Sequence, residues 1–290
     1  MRIAIIGTGY WGSKIVETAK AMDLDVTQYD IKDSLDAITP ETTDAAIIAT
    51  PATTHKSITQ TMMSRGINVL VEKPAFMNMS ECHEIEPYCQ KAKFMSGHIL
   101  LYSEHFANIN VDAKQIRHIE SRRLNWGRVQ KDISPVPHLA PHDVAVLDVL
   151  LGDIPDKIYC KPFYITRRQQ PDYVVCDLDY GDTTVQLQIG WLYNDKIRDI
   201  RVFVNDGIYD WRDSEDTSHY FDYNGFDKIQ GVPKSTSTSL TRQLQAFINF
   251  CEKDQEPLSN FAHTKRVTYV IECMEKSLKT GEVICPSKEY

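Results

Sequence analysis

Residues 2–12 read Arg2-Ile3-Ala4-Ile5-Ile6-Gly7-Thr8-Gly9-Tyr10-Trp11-Gly12, and the fold of the first half follows from them. Ile3 to Ile6 make a short unbroken apolar run, the pattern of a strand buried on both faces of a parallel sheet. Three glycines follow at once, and from Tyr10 to Met22 the apolar residues Trp11, Ile15, Val16, Ala19 and Met22 recur at helical spacing. A strand that turns into a helix through Gly-x-Gly-x-x-Gly is the opening of a dinucleotide-binding unit. The first glycine permits the tight turn, the second lets backbone approach a pyrophosphate, and the third lets helix and strand pack closely. Free N–H groups at the helix N-terminus then offer the phosphates a partial positive charge. An ordinary strand–helix turn uses the same glycines for geometry alone; the place of this one, at the head of an alternating series, favours the first reading.

Outward from the glycine turn, strand and helix patterns alternate. Asp25 to Tyr29 is a second strand, Ala45 to Ala49 a third, Asn68 to Val71 a fourth and Phe94 to His98 a fifth. Helices are expected over 54–64, with Gly66 as C-cap, and over 80–91. Such an alternation implies right-handed crossovers and a parallel sheet, an N-terminal Rossmann domain. Asp30 falls 18 positions after Gly12, where a carboxylate binds the adenosine ribose hydroxyls and repels a 2′-phosphate. NAD is therefore expected over NADP, although Lys32 would blunt the repulsion and a solvated strand-end aspartate would look the same.

Two further segments carry a resemblance. Ala49-Thr50-Pro51-Ala52-Thr53-Thr54-His55 follows the third strand, and Val71-Glu72-Lys73-Pro74 closes the fourth. Together with the glycine turn, Gly97-His98-Ile99-Leu100, Leu139-Ala140-Pro141-His142-Asp143, Gly190-Trp191-Leu192 with Lys196 and Arg198, and the tail over 257–281, the chain resembles the Gfo/Idh/MocA oxidoreductase family. Within it, the chain resembles short sugar or nucleotide-sugar dehydrogenases in overall build. The resemblance implies that Gly7, Thr8, Gly9, Tyr10, Trp11, Gly12, Asp30, Thr50, Pro51, His55, Glu72 and Lys73 hold the cofactor. It also places Lys73 at the nicotinamide end, where an ammonium stabilises developing alkoxide charge. Pro74 is a candidate for a cis bond after Lys73, which sequence does not show.

His142 is the candidate acid–base group, because oxidising an alcohol removes a hydroxyl proton and imidazole titrates near working pH. A histidine beside an apolar helical stripe is otherwise most often structural; the family position reverses that preference. Many members carry an aspartate four residues earlier, whereas this chain has His138. The i, i+4 spacing puts both imidazoles on one helix face, where His138 relays a proton, orients substrate, or joins His142 as a metal ligand. No Glu follows His138 and the family does not usually need a metal, so none is expected. Tyr102 and Asn125 are expected to line the substrate cleft with the two histidines.

From Gln115 the pattern changes to strands over 117–124, 157–165, 173–180, 183–191 and 197–204, with one amphipathic helix over 138–151. Asn108-Ile109-Asn110 is a poor helix interior, so the connection before the first of these strands is expected to be short or irregular. Helices over 242–251 and 264–277 close the chain. The expected fold is α/β: a Rossmann domain over 1–114, then an α+β domain over 115–290 with a mostly antiparallel open sheet for substrate binding and oligomerisation. Association as a dimer or tetramer through that sheet makes Trp191, Tyr193 and Val202 candidate interface residues, although core packing gives the same pattern.

The bulk properties close off other classes. A net charge of −8 over 290 residues argues against nucleic acid as a partner. The apolar runs are far too short to span a membrane, and residues 2–6 enter a strand without a signal-peptide pattern. Seven cysteines without a C-x-x-C pair suit a reduced, cytoplasmic setting. The expected activity is NAD-dependent oxidation of a secondary alcohol on a sugar or nucleotide-sugar. The alternatives are a non-catalytic NAD-binding sensor or scaffold of the same fold, kept open by His138, and an NADPH-dependent ketone or imine reductase.

Overall fold

The computed structural model describes residues 1–30, 32–127, 134–166, 169–223, 228–229 and 237–290. The chain divides into two compact units, Met1–Ser103 with Thr236–Thr268, and Glu104–Ser235 with Tyr269–Tyr290. The expected boundary at 114/115 falls inside the second unit, and the first unit takes in a late segment of the chain.

The first unit begins with β1 (Arg2–Ile6), α1 (Tyr10–Ala21), β2 (Asp25–Tyr29), β3 (Ala45–Ile48), α2 (His55–Ser64), β4 (Asn68–Glu72), α3 (Met79–Ile85) and β5 (Phe94–Gly97). Its strands pair in parallel in the order β2-β1-β3-β4-β5. Ile5, Ile47, Ile48, Leu70 and Val71 are wholly buried, as the continuous apolar runs require. The strand order turns back on itself between β1 and β3, so the loops after these two strands diverge to opposite sides of the sheet. Such a switch point, at the carboxyl ends of the strands, is where open α/β sheets bind ligands. The helix expected over 80–91 stops at Ile85 and continues as a tighter turn over Glu86–Gln90. Pro87 explains the change, since it has no N–H to give to the preceding turn.

The second unit contains α4 (Glu104–Ala107), β6 (Ile116–Trp126), α5 (Pro135–Leu139), α6 (Pro141–Leu151), β7 (Lys157–Phe163), β8 (Tyr173–Asp179), β9 (Thr184–Gly190), β10 (Leu192–Val204), β11 (Gly207–Arg212), β12 (Thr217–Asp222) and β13 (Lys228–Ile229). They form an eight-stranded sheet in the order β13-β12-β11-β10-β6-β9-β8-β7. β6 and β9 pair in parallel and the other neighbours antiparallel. Before β6 the connection holds one turn of helix and a short turn at Ala113–Gln115, the irregular path that Asn108 and Asn110 led us to expect.

Two expectations for this unit are corrected. The helix over 138–151 is two helices, because Pro141 cannot donate and α6 restarts there. It is also not amphipathic: Val144, Ala145, Val146, Leu147 and Leu150 are buried together with Asp143 and Asp148. Trp191 and Val202, expected at an interface, are 1% and 0% exposed within the chain alone and belong to its core. The opposite face of the sheet carries ionic ladders: Arg122 Nε donates to Asp199 at 2.9 Å, while Arg201 Nε and Arg212 Nε each donate to Asp210 at 3.0 Å.

Two last helices follow, α7 (Ser239–Lys253) and α8 (Phe261–Thr280). α7 belongs to the first unit, where it buries Leu240, Leu244, Phe247, Ile248 and Phe250. Just before α8, Ser259 and Asn260 run antiparallel to β5, with Ser96 N–H donating to Ser259 O at 2.8 Å.

Candidate functional site

In the first unit, every segment singled out from sequence ends at the carboxyl edge of the sheet. Gly7 sits at φ +96°, and an added Cβ there would lie 2.7 Å from the Ala49 carbonyl oxygen. At Gly12 a Cβ would overlap the Gly7 carbonyl, so that glycine serves helix–strand packing. Gly9 differs from both: a Cβ would meet nothing within 4 Å. Protein packing therefore does not require glycine at position 9, and the space beside it is open to a ligand. Gly9 is also the N-cap of α1, and among the described residues no side-chain cap bonds that helix start. Asp30, exposed at the end of β2, accepts from Thr8 Oγ1 at 2.6 Å, which fixes its carboxylate beside the glycine turn. These features fit a dinucleotide, with phosphates on the helix start and a ribose on Asp30.

The loops after β3 and β4 are tied together by His55. Its Nδ1 lies 2.8 Å from Pro74 O and its Nε2 2.8 Å from Thr50 O, and the ring is 1% exposed. Burial pushes its pKa below the ordinary value, and a neutral ring donates to one of the two carbonyls only. The peptide between Lys73 and Pro74 is cis. Glu72 is buried, with Oε2 accepting from Lys73 N at 3.3 Å. Burial raises its pKa to about 7, against weaker lowering by the nearby Trp11 indole and by Lys73. The indole N–H approaches the carboxyl without meeting hydrogen-bond geometry. Gly97 leaves this carboxyl its room, since a Cβ there would come 2.9 Å from Glu72 Cδ. His55 and Glu72, expected as cofactor contacts, are thus buried supports of the loops that present Thr50, Pro51 and Lys73.

His98, at the end of β5, was legible only as part of a strand. It is 2% exposed and packs edge-on against His263 from α8, with ring centroids 5.2 Å apart. Burial first, then the charges of His263 and Lys73, hold its pKa well below the usual histidine value. A pair of buried imidazoles so far apart in sequence leaves no signal in the spacing of either. Tyr102, expected to line the cleft, is a buried residue instead: its hydroxyl is 3.0 Å from Ser259 Oγ, and burial raises its pKa to about 12.

In the second unit, His138 lies on α5 and His142 in the first turn of α6, both half-buried. The His138 ring stands 5.8 Å from that of Trp191. Asp143, the residue after His142, anchors the start of α6 to the sheet. It accepts from Arg123 Nε at 2.6 Å, Arg123 Nη2 at 3.0 Å and Ser121 Oγ at 2.8 Å, and both ion-pair partners are buried. Fork-to-carboxylate geometry of this kind fixes direction as well as distance, so the turn bearing His142 is held rigidly. Asn125, near the end of β6, is half-buried, and its amide occupies space that a side chain at Gly127 would take. Among the described residues there is no group of three or more His, Cys, Asp or Glu side chains placed to hold a metal.

Comparison with known proteins agrees with this geometry. Residues 15–98 match the model of an oxidoreductase family with an NAD-binding Rossmann fold. The matched model is that of the Gfo/Idh/MocA oxidoreductases, and the match covers 84 of the 290 residues. A curated relative, the 2,7-anhydro-N-acetylneuraminate hydratase of Mediterraneibacter gnavus, is 26% identical over 189 residues, 53% of this chain and 50% of that protein. The chain spans about half the length of the curated relatives it matches. A solved UDP-N-acetylglucosamine 3-dehydrogenase from Acidithiobacillus ferrooxidans superposes with a TM-score of 0.86 at 19% identity, over 96% of this chain and 98% of that one. An oxidoreductase from Agrobacterium radiobacter, solved with NAD+, L-tartaric acid and magnesium, gives 0.84 at 11% identity, over 98% of each chain. At such identities the two structures establish a shared fold.

Proposed function

We propose that this chain is an NAD-dependent oxidoreductase that oxidises a secondary alcohol of a sugar or nucleotide-sugar. The observation that carries the reading is the carboxyl edge of the first sheet, where an uncapped helix start, a glycine facing open space and a carboxylate held by Thr8 converge. Asp30 favours NAD over NADP by repelling a 2′-phosphate. When bound, the nicotinamide supplies the hydride acceptor. Lys73, presented by the Glu72–Pro74 loop, orients the hydroxyl and stabilises charge developing on its oxygen. His142 takes the hydroxyl proton, and the Asp143–Arg123 pair keeps its helix turn in place. His138 and Asn125 contribute to substrate contact. The names of the similar proteins, two of which concern N-acetylated sugars, support the substrate class.

Association of copies through the ionic face of the eight-stranded sheet belongs to the same reading, as does a reducing cytoplasmic setting. All seven cysteines are free thiols, including Cys160 and Cys176, which face each other across β7 and β8. Among the described residues no helix is long and apolar enough to cross a membrane.

The test follows nicotinamide absorbance while the purified protein meets NAD and a panel of free and nucleotide-linked sugars. Reduction with one compound is expected. NAD binding with silence across the panel contradicts the catalytic reading and favours a sensor, and preferential binding of NADPH favours a reductase.

A further inference from the structure

Arg123 and Arg198 stand directly opposite each other on β6 and β10, so both point to the face of the sheet that packs α6. Like charges in such a cross-strand pair repel. Asp143 takes up the charge of Arg123 through two hydrogen bonds. Arg198 is half-buried on the same face and makes no ion pair or side-chain hydrogen bond among the described residues. Asp213, whose N–H donates to the Arg198 carbonyl at 2.8 Å, acts on the guanidinium from beyond ion-pair distance, as does Asp143.

The arginines of this chain make the contrast plain. Arg122, Arg123 and Arg212 meet carboxylates and are held above the ordinary arginine value. Arg198 moves the other way, because burial and the charge of Arg123 outweigh Asp213 and Asp143. A cation in this position costs stability unless something outside the chain satisfies it. Its five donors form a planar fork that matches an oxyanion in bidentate geometry. It also lies within electrostatic reach of Asp143, the residue next to His142.

We propose that Arg198 is the substrate-specificity residue of the second unit and binds an oxyanion of the sugar substrate, either a sugar-acid carboxylate or the phosphate of a nucleotide-sugar. The assignment rests on the proposed dehydrogenase reading and narrows it to anionic substrates. A neutral sugar would leave the fork unsatisfied and bind more weakly.

Calorimetric titration of the whole chain with UDP, glucuronate and glucose tests this without turnover. The wild type is expected to bind UDP or glucuronate, whichever carries the matching oxyanion, and not glucose. Arg198→Met should weaken that binding by about ten- to a hundredfold, the loss of a charge-assisted hydrogen-bond pair. Arg198→Lys should recover part of it, and Lys196→Met, an exposed neighbour, should recover none because it loses none. A structural role for Arg198 predicts a lower thermal midpoint in Arg198→Met; removal of an uncompensated charge leaves the midpoint unchanged or raised. Unaltered anion binding in Arg198→Met, or failure of both anions to bind the wild type, overturns the proposal. If Arg198→Met loses anion binding while the sugar panel stays silent, the dehydrogenase reading fails and the anion site stands.

Discussion

The two units present their candidate chemistry by different means. In the first, the features at the candidate cofactor site are mostly backbone: a glycine facing open space and a helix start whose N-cap supplies no side chain, beside loops braced by the buried His55. In the second they are side chains on a rigid frame: His142 on a turn fixed by Asp143 and Arg123, and Arg198 across the sheet from that pair. Backbone recognition suits a ligand whose phosphates and ribose do not vary, since any sequence can supply N–H groups once the turn is made. Side-chain recognition can be retuned one residue at a time, which suits a substrate that differs between relatives.

If that division is right, variants in the second unit should separate chemistry from stability. His142→Ala is expected to lower turnover by about two to four powers of ten while leaving NAD affinity unchanged, measured by initial rates and cofactor titration. Equal turnover removes His142 from the acid–base role. Arg123→Met should cost about 3–5 kcal/mol in urea unfolding, because it leaves Asp143 buried without its partner. The double variant Arg123→Met with Asp143→Leu should recover most of that loss, since an apolar pair of similar volume avoids desolvating two charges.

The first unit offers a pH test on Glu72, a buried support. Its carboxyl is raised from 4.5 to about 7 in the folded state, first by burial. The folded chain therefore binds the proton more tightly than the unfolded one, and the stability gained is complete below the unfolded value of 4.5. It is lost as pH rises through about 7, an effect on the order of 3 kcal/mol. Glu72→Gln should flatten this fall, read as the difference in urea midpoint between about pH 5 and about pH 8. A wild-type midpoint that does not drop over that range contradicts the buried-carboxyl assignment.

The same division explains what could be read from the sequence. β1, the glycine turn, α1 and the strands to β5 follow from local runs and spacing, and their bounds fall within a residue or two of expectation. The place of α7 in the first unit could not be read, because its apolar stripe shows that it packs but not against which sheet. β11 and β12 are not legible from the sequence, because their alternation mixes Tyr, Asp, His and Ser; pairing of β11 with β10, and of β12 with β11, makes them strands. Among site residues, Gly7, Gly9, Gly12, Asp30 and Lys73 lie at the carboxyl edge that a local motif foretells. Tyr102 reads as a cleft residue until Ser259, from 157 positions away, takes its hydroxyl. Arg198 stands in a recognisable segment, yet its unbalanced charge depends on a register with Arg123 that no spacing along the chain encodes.

The contrast between backbone and side-chain recognition is tested most directly by titrating NAD into Gly9→Ala and Gly12→Ala beside the wild type, with a thermal midpoint for each. Gly9→Ala should keep the wild-type midpoint and lose NAD affinity by about tenfold or more, because its methyl meets only the space where the pyrophosphate would lie. Gly12→Ala should lose stability itself, its methyl overlapping the Gly7 carbonyl. Wild-type NAD affinity in a folded Gly9→Ala variant would contradict a dinucleotide held on the glycine turn.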